Sequence, residues 1–157
     1  MQIKSQRFGA VELADDALLT FPAGIIGFPH ERSFVLIPHK GSSCLAWLQS
    51  TTSQELAFPV VSAHAFGERY PDFSLDDAAR TAGIGEPVQD YAVLVVLSAP
   101  RGQPATVNLL APIVVNAQTR LGAQVILDGS RFSTRELFIL PRTNHNDPMP
   151  LAAALAG

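Results

Sequence analysis

The sequence predicts a mainly β fold: a small antiparallel, barrel-like single domain carrying one short helix. Three observations point there. Short apolar runs, β-branched or aromatic, recur along the chain, each closed by Gly, Pro, Ser, Asn or Asp. The gaps between them are mostly too short for a helical crossover, so neighbouring strands run antiparallel. Twelve prolines and 11 glycines are spread through 157 residues, which suits a fold with many turns.

Taken in order, Gln2 to Phe8 and Leu18 to Phe21 read as weak, alternating or edge strands. Stronger strands follow at Phe34 to Ile37, Leu45 to Leu48, Ala57 to Val61 and Tyr91 to Leu97, then at Ile113 to Val115 and Val125 to Leu127. Between them Ser74 caps a helix over Leu75 to Ala82. Asp77 completes a capping-box-like Ser-x-x-Asp, Asp76 and Asp77 face the positive end of the helix dipole, and Gly83 stops it. This should be the single well-formed helix of the domain, which covers residues 1–140. The tail, residues 141–157, loses strand periodicity. Leu151 to Leu155 reads as mobile chain or a short helical turn.

Composition bounds the function. The chain is 47% hydrophobic and 16% charged, too apolar for a disordered protein and long enough to bury a core without metal or disulfide. Its longest uninterrupted apolar run, Tyr91 to Leu97, is far shorter than the ~20 residues a membrane helix needs, and the N-terminus has no signal-peptide core. A cytoplasmic protein with no membrane partner is expected. A net charge of −3 is a poor footprint for gripping phosphates. The one cysteine, Cys44, excludes an internal disulfide and reads as a small buried thiol.

Catalytic and metal motifs are missing. His30, His39, His64 and His145 lie far apart with no ligand-pair spacing, no GxSxG elbow occurs, and Gly129-Ser130-Arg131 is a turn. No cofactor, metal or enzymatic role is expected. A hydrolase triad assembled from distant residues stays open, since such groups need only meet in space.

Two features stand apart. Pro22-Ala23-Gly24-Ile25-Ile26-Gly27-Phe28-Pro29 holds two glycines at the spacing of an RNA-clamping GxxG loop, but two isoleucines and no base lie between them. The better reading is a tight bend in which at least one of Gly24 and Gly27 takes positive φ or packs backbone against backbone, while the isoleucines and Phe28 plug the core. Charge is also uneven. Six acids stand against two bases from Glu68 to Asp90, whereas five arginines stand against three acids from Arg101 onward. Such a dipolar surface steers partners.

Several strings in order resemble the bacterial flagellar assembly factor FliW family. These are Phe21 to Phe28, Phe34 to Leu36, Trp47 to Ser50, Asn108 to Asn116, Gly122 to Leu127 and Phe132 to Arg135. The resemblance spans about Phe21 to Arg135; Ala123 stands where a basic residue is common in the family, and Val61 to Gly67 replaces a stretch usually rich in Pro and aromatics. It implies a small β-barrel-like, non-catalytic fold whose partners are flagellin and the RNA-binding translational regulator CsrA. The protein would bind flagellin as a chaperone in the cytoplasm, be monomeric when free, and relieve CsrA repression of flagellin mRNA without touching nucleic acid directly. Partner-contacting residues would then be Phe28, Pro112, Asn116 and Arg120. The acids Asp72, Asp76 and Asp77 would supply repulsion toward RNA while apolar contacts supply affinity. A competing reading keeps the fold and binds RNA through Arg120, Arg131, Arg135 and Arg142.

Overall fold

The computed structural model describes residues 1–85, 90–129 and 131–139. Its strands are β1 (Gln2–Ser5), β2 (Gly9–Glu12), β3 (Leu19–Thr20), β4 (Ser33–Pro38), β5 (Leu45–Ser50), β6 (Ala57–Ser62), β7 (Tyr91–Ser98), β8 (Thr106–Val107), β9 (Ile113–Asn116), β10 (Gly122–Gln124) and β11 (Glu136–Leu137). The α-helix α1 is Leu75–Ala82, and 3-10 turns cover Asp15–Ala17 and Ala63–Arg69. The fold is mainly β and antiparallel throughout its ladders. The long sheet runs β10-β9-β7-β6-β5-β4-β3, with β8 and β11 branching from β7. Its two ends meet through one parallel bridge, Thr20 to Leu121, where Thr20 N–H donates to Arg120 O at 2.9 Å. The sheet is therefore barrel-like without a ladder that closes all the way round.

Register explains the core. Phe34, Leu36, Ala46, Leu48, Phe58, Val60, Ala92, Leu94, Val96, Ile113 and Val115 alternate onto the inner face and, with Leu19, Phe21 and Ile25, form one cluster. The opposite face is covered in two further clusters. The 63–69 turn and the β8/β11 pair bury Leu45, Val61 and Val95 with Phe66, Val107 and Phe138. Helix α1 lays Ala79 over Val114 and Ala123. The β1–β2 hairpin is tied to β5 by Ser5 Oγ donating to Gln49 Oε1 at 2.7 Å, and by Phe8 and Arg7 against Trp47. Gln49 is fully buried, and its amide nitrogen is satisfied by carbonyls of residues 50–56.

Three expectations change on contact with the structure. Gln2 to Phe8 is not one strand but the first half of a hairpin: Ser5 Oγ accepts from the N–H groups of Arg7 and Phe8, and Gly9 takes φ +71° to return the chain. The last long-sheet strand is Gly122–Gln124, not Val125 to Leu127. Val125 and Leu127 N–H still donate to Pro112 and Leu110 carbonyls. Pro112 has no N–H to return, and Leu110 N–H is spent on Asn108 Oδ1 at 3.0 Å, so the ladder stops. The bend at Gly24 and Gly27 forms with φ +71° and +87°, but only Ile25 plugs the core; Ile26 and Phe28 are 52% and 41% exposed. The 141–157 tail, with Arg142 and His145, lies outside the described residues.

Helix α1 forms where its caps place it, and it is the single α-helix among the described residues. Ser74 Oγ accepts from Asp77 N–H at 3.2 Å, while the Asp77 carboxylate takes the Arg80 guanidinium at 3.1 Å. Gly83 adopts φ +71°, with Gly83 N–H on Arg80 O and Ile84 N–H on Ala79 O, which is a Schellman closure that buries Ile84. Replacing Ser74 with Ala is expected to lower unfolding free energy by ~1 kcal/mol in urea denaturation. An unchanged midpoint would show that the cap contributes nothing.

Candidate functional site

Two surfaces carry Phe28 and the acids Asp72, Asp76 and Asp77 singled out by the sequence. The first is the mouth of the curled sheet. Gly24 N–H donates to Phe21 O at 2.9 Å, and Ile25 and Phe28 exchange backbone bonds, so residues 21–28 form a stiff loop. Gln124 fixes its tip: the side-chain oxygen accepts from Ile26 N–H at 3.0 Å and the nitrogen donates to Ala111 O at 3.1 Å. Phe28 stands edge-on to Phe58, ring centroids 5.4 Å apart, and Phe58 meets Phe34 of the core at 6.2 Å. A cavity of about 370 Å³ opens beside them, lined by Ile25, Ile26, Phe58, Val96 and Thr134 among others. An exposed Ile is thus held on hydrogen-bonded backbone at the edge of an apolar recess, with the exposed Phe28 packed on Phe58 of its wall. Next to this loop Glu31 accepts from Ser50 and Thr52 hydroxyls and closely from Ser53. The Ser53 and Ser50 bonds hold its carboxyl below the usual range.

The second surface is the start of α1. Asp72, Asp76 and Asp77 are all exposed, and among the described residues only Asp77 of the three is in an ion pair. They sit on a ridge between two cavities of about 350 Å³ each, with Phe73 lining both. One is walled by His64, Tyr70, Asp72, Phe73 and Tyr91; the other lies between α1 and residues 125–132, beside Asp77, Asp128, Arg131 and the 68% exposed Ile126. Tyr70 is a neutral wall: its hydroxyl donates to Leu109 O at 2.7 Å, and burial pushes the phenol well above its ordinary value. Residues 124–126 run from the Ile26 contact to this second cavity, so the two surfaces adjoin along the chain.

The other proposed contact residues lie elsewhere. Asn116 is fully buried: Oδ1 accepts from Gln118 and Thr119 N–H, and Nδ2 donates to Ile84 O at 3.1 Å. Its side chain joins the end of α1 to the β9–β10 turn, out of a partner's reach. Pro112 is buried as well. Arg120 closes that turn at φ +61°, the one described non-glycine residue with positive φ. Gly122 packs so tightly that a Cβ would lie 2.6 Å from the Phe21 ring. Arg131 donates to Asp72 O and stacks on Phe132 in a cavity it shares with Asp77 and Asp128, so a phosphate arriving there would meet carboxylates.

Among the described residues no group of three His, Cys, Asp or Glu side chains could hold a metal, and no helix is long and apolar enough to cross a membrane. Among the described residues lining the cavity that holds His64 there is no serine or cysteine.

Fold and surfaces together define a small antiparallel β protein with an apolar mouth and an acidic, cavity-flanked helix. The family described as FliW protein matches residues 2–138. A flagellar assembly factor FliW from Desulfitobacterium hafniense (strain DSM 10664 / DCB-2) is 37% identical over 135 residues, covering 86% of this chain and 89% of that protein. One from Bacillus subtilis (strain 168) is 35% identical, covering 86% and 94%. The crystal structure of a flagellar assembly factor FliW superposes with TM-score 0.76 at 30% identity, covering 87% of this chain and 96% of that one. The chain belongs to the FliW family. The match begins at residue 2, so it takes in the β1–β2 hairpin as well as the strings that carry the resemblance.

Proposed function

We propose that this chain is a cytoplasmic chaperone that binds flagellin and also captures the translational regulator CsrA, relieving repression of flagellin mRNA, with the two partners exchanging on it. The observation that carries this reading is the display of exposed Ile26 at an apolar recess, with exposed Phe28 packed on its Phe58 wall, in a FliW-family fold. Aromatic and aliphatic anchors set in a pocketed surface are what concentrate binding energy in protein interfaces. The deciding experiment is a pull-down with purified flagellin and CsrA. Each should bind alone, and flagellin should displace CsrA. Failure of both to bind removes the reading, whereas RNA binding by the chain alone with a steep salt dependence would favour the direct RNA reading instead.

In this scheme the acids of the α1 start act on RNA held by CsrA through charge. Exposed charges more than a Debye length of ~8 Å apart are largely screened, so the cluster must lie close to the RNA path. Each exposed charge contributes a few tenths to about 1 kcal/mol, so only several together reach a tenfold effect. Changing Asp72, Asp76 and Asp77 together to Asn is therefore expected to leave CsrA capture within about threefold while weakening relief of RNA binding, most visibly at low salt. Full relief by the triple variant at low salt would remove the electrostatic part of the proposal.

A further inference from the structure

The 63–75 side of the acidic ridge has a composition that selects a ligand. Its cavity of about 350 Å³ is lined by His64, Tyr70, Phe73 and Tyr91 together with Asp72, and among the described residues no lysine or arginine lines it. The rings are set as a frame: Tyr70 and Phe73 lie 5.5 Å apart between centroids, and both meet Phe132 edge-on at 6.0 and 6.2 Å. Elsewhere this protein fills the faces of aromatic rings with its own arginines: Arg7 lies 4.0 Å over Trp47, Arg131 lies 5.5 Å over Phe132 and Arg69 lies 5.6 Å over Phe66. Arg69, the nearest base in sequence, is held away by Glu136 at 2.8 Å and Leu137 O. Arg131 reaches Asp72 only at its backbone carbonyl, 3.4 Å away.

We propose that the cavity between the Ala63–Arg69 turn, the 70–75 segment and β7 is a receptor for an arginine side chain presented by a protein partner. Its planar guanidinium would stack on the aromatic walls and pair with Asp72. Guanidinium suits such a site better than ammonium because it is planar, more weakly hydrated and able to meet a carboxylate with two parallel donors. Aromatic faces attract cations through their quadrupole, and more strongly as the cation loses water. The surrounding charge agrees: Glu68, Asp76 and Asp90 are exposed on neighbouring segments, and Arg80 is engaged by Asp77. The site does not depend on which protein supplies the arginine, so its test is separate from the flagellin and CsrA pull-down.

The test uses the full chain, isotope-labelled, titrated with capped arginine (N-acetyl-arginine methylamide) and followed by amide NMR. Saturable shifts concentrated at residues 63–75 and 91–93 are expected. Capped citrulline, of the same shape without charge, and capped lysine should each bind more weakly. Asp72→Asn should weaken arginine binding about three- to fivefold with an otherwise unchanged spectrum, and Asp72→Glu should keep most of it. The proposal is overturned if no saturable shift appears, if the shifts cluster elsewhere, or if citrulline or lysine binds as well as arginine. Equal affinity of Asp72→Asn would also overturn it.

Discussion

Gly24→Val is expected to destabilise the protein by about 2–5 kcal/mol, whereas Gly27→Val is expected to lose only about 1–2 kcal/mol, although both glycines have positive φ. The difference comes from what surrounds them. At φ +71° a Cβ on Gly24 would lie 2.7 Å from Pro29 O and 2.8 Å from its carbonyl carbon, and closer still to Phe28 O. All three atoms are backbone of the same loop, so no side chain can turn aside. Relief would require parting the Ile25–Phe28 bridge and withdrawing Ile25, 3% exposed, from the core. At Gly27 a Cβ meets nothing within 4 Å, so the penalty is the left-handed backbone alone. Urea midpoints of the two variants measure this. Equal midpoints would show that the loop gives way and that Gly24 is not clamped.

That contrast marks how far the sequence could be read. Two glycines, a proline at each end and apolar residues between them predict a tight bend, and the bend is there. Which isoleucine enters the core is decided by Gln124, nearly a hundred positions later, taking the Ile26 N–H and leaving Ile25 to face inward. No local pattern encodes that. The α1 helix was legible because its signals are local: Ser74, two acids and Gly83 act within one turn of the residues they cap. Strand runs were legible through β-branched content, but their ends were not. Val125 to Leu127 has strand composition and loses its ladder to Pro112 and to the Asn108 side chain on the facing segment.

The candidate site was legible in the same uneven way. Phe28 and the acids of the α1 start are on the surface, as a binding role requires. Asn116 and Pro112 belong to one of the strings that resemble the family, yet both are buried. A residue type required by a turn or by packing looks in one sequence just like one required for contact. The aromatic cavity was missed because its walls come from separate segments, around residues 64, 70–75 and 91, whose spacing matches no motif.

The second large effect is expected at the mouth. Changing Ile26 and Phe28 together to Ser should weaken partner capture by at least about 2 kcal/mol, more than tenfold, if these side chains are the anchors of the interface. Stability should fall as well, because each side chain is about half buried and loses roughly 1 kcal/mol or more of burial. The Ile26 backbone bond to Gln124 does not involve the side chain and is kept. Phe28 also gives up an edge contact with Phe58, worth about 0.5–1.5 kcal/mol beyond its area, so binding is compared on folded protein well below the melting transition. The neighbouring Ile25→Ala supplies the contrast: it empties a core position and should cost about 2–5 kcal/mol of stability. Binding measured below its melting transition should then be affected only as far as the loop shifts. The two variants therefore separate display from packing. A double Ser variant that captures flagellin and CsrA as well as the parent would leave the apolar mouth without a role in either complex. The next apolar side chains to change would then be Ile126 beside the acids, and Leu137 and Ile139, which are exposed as well.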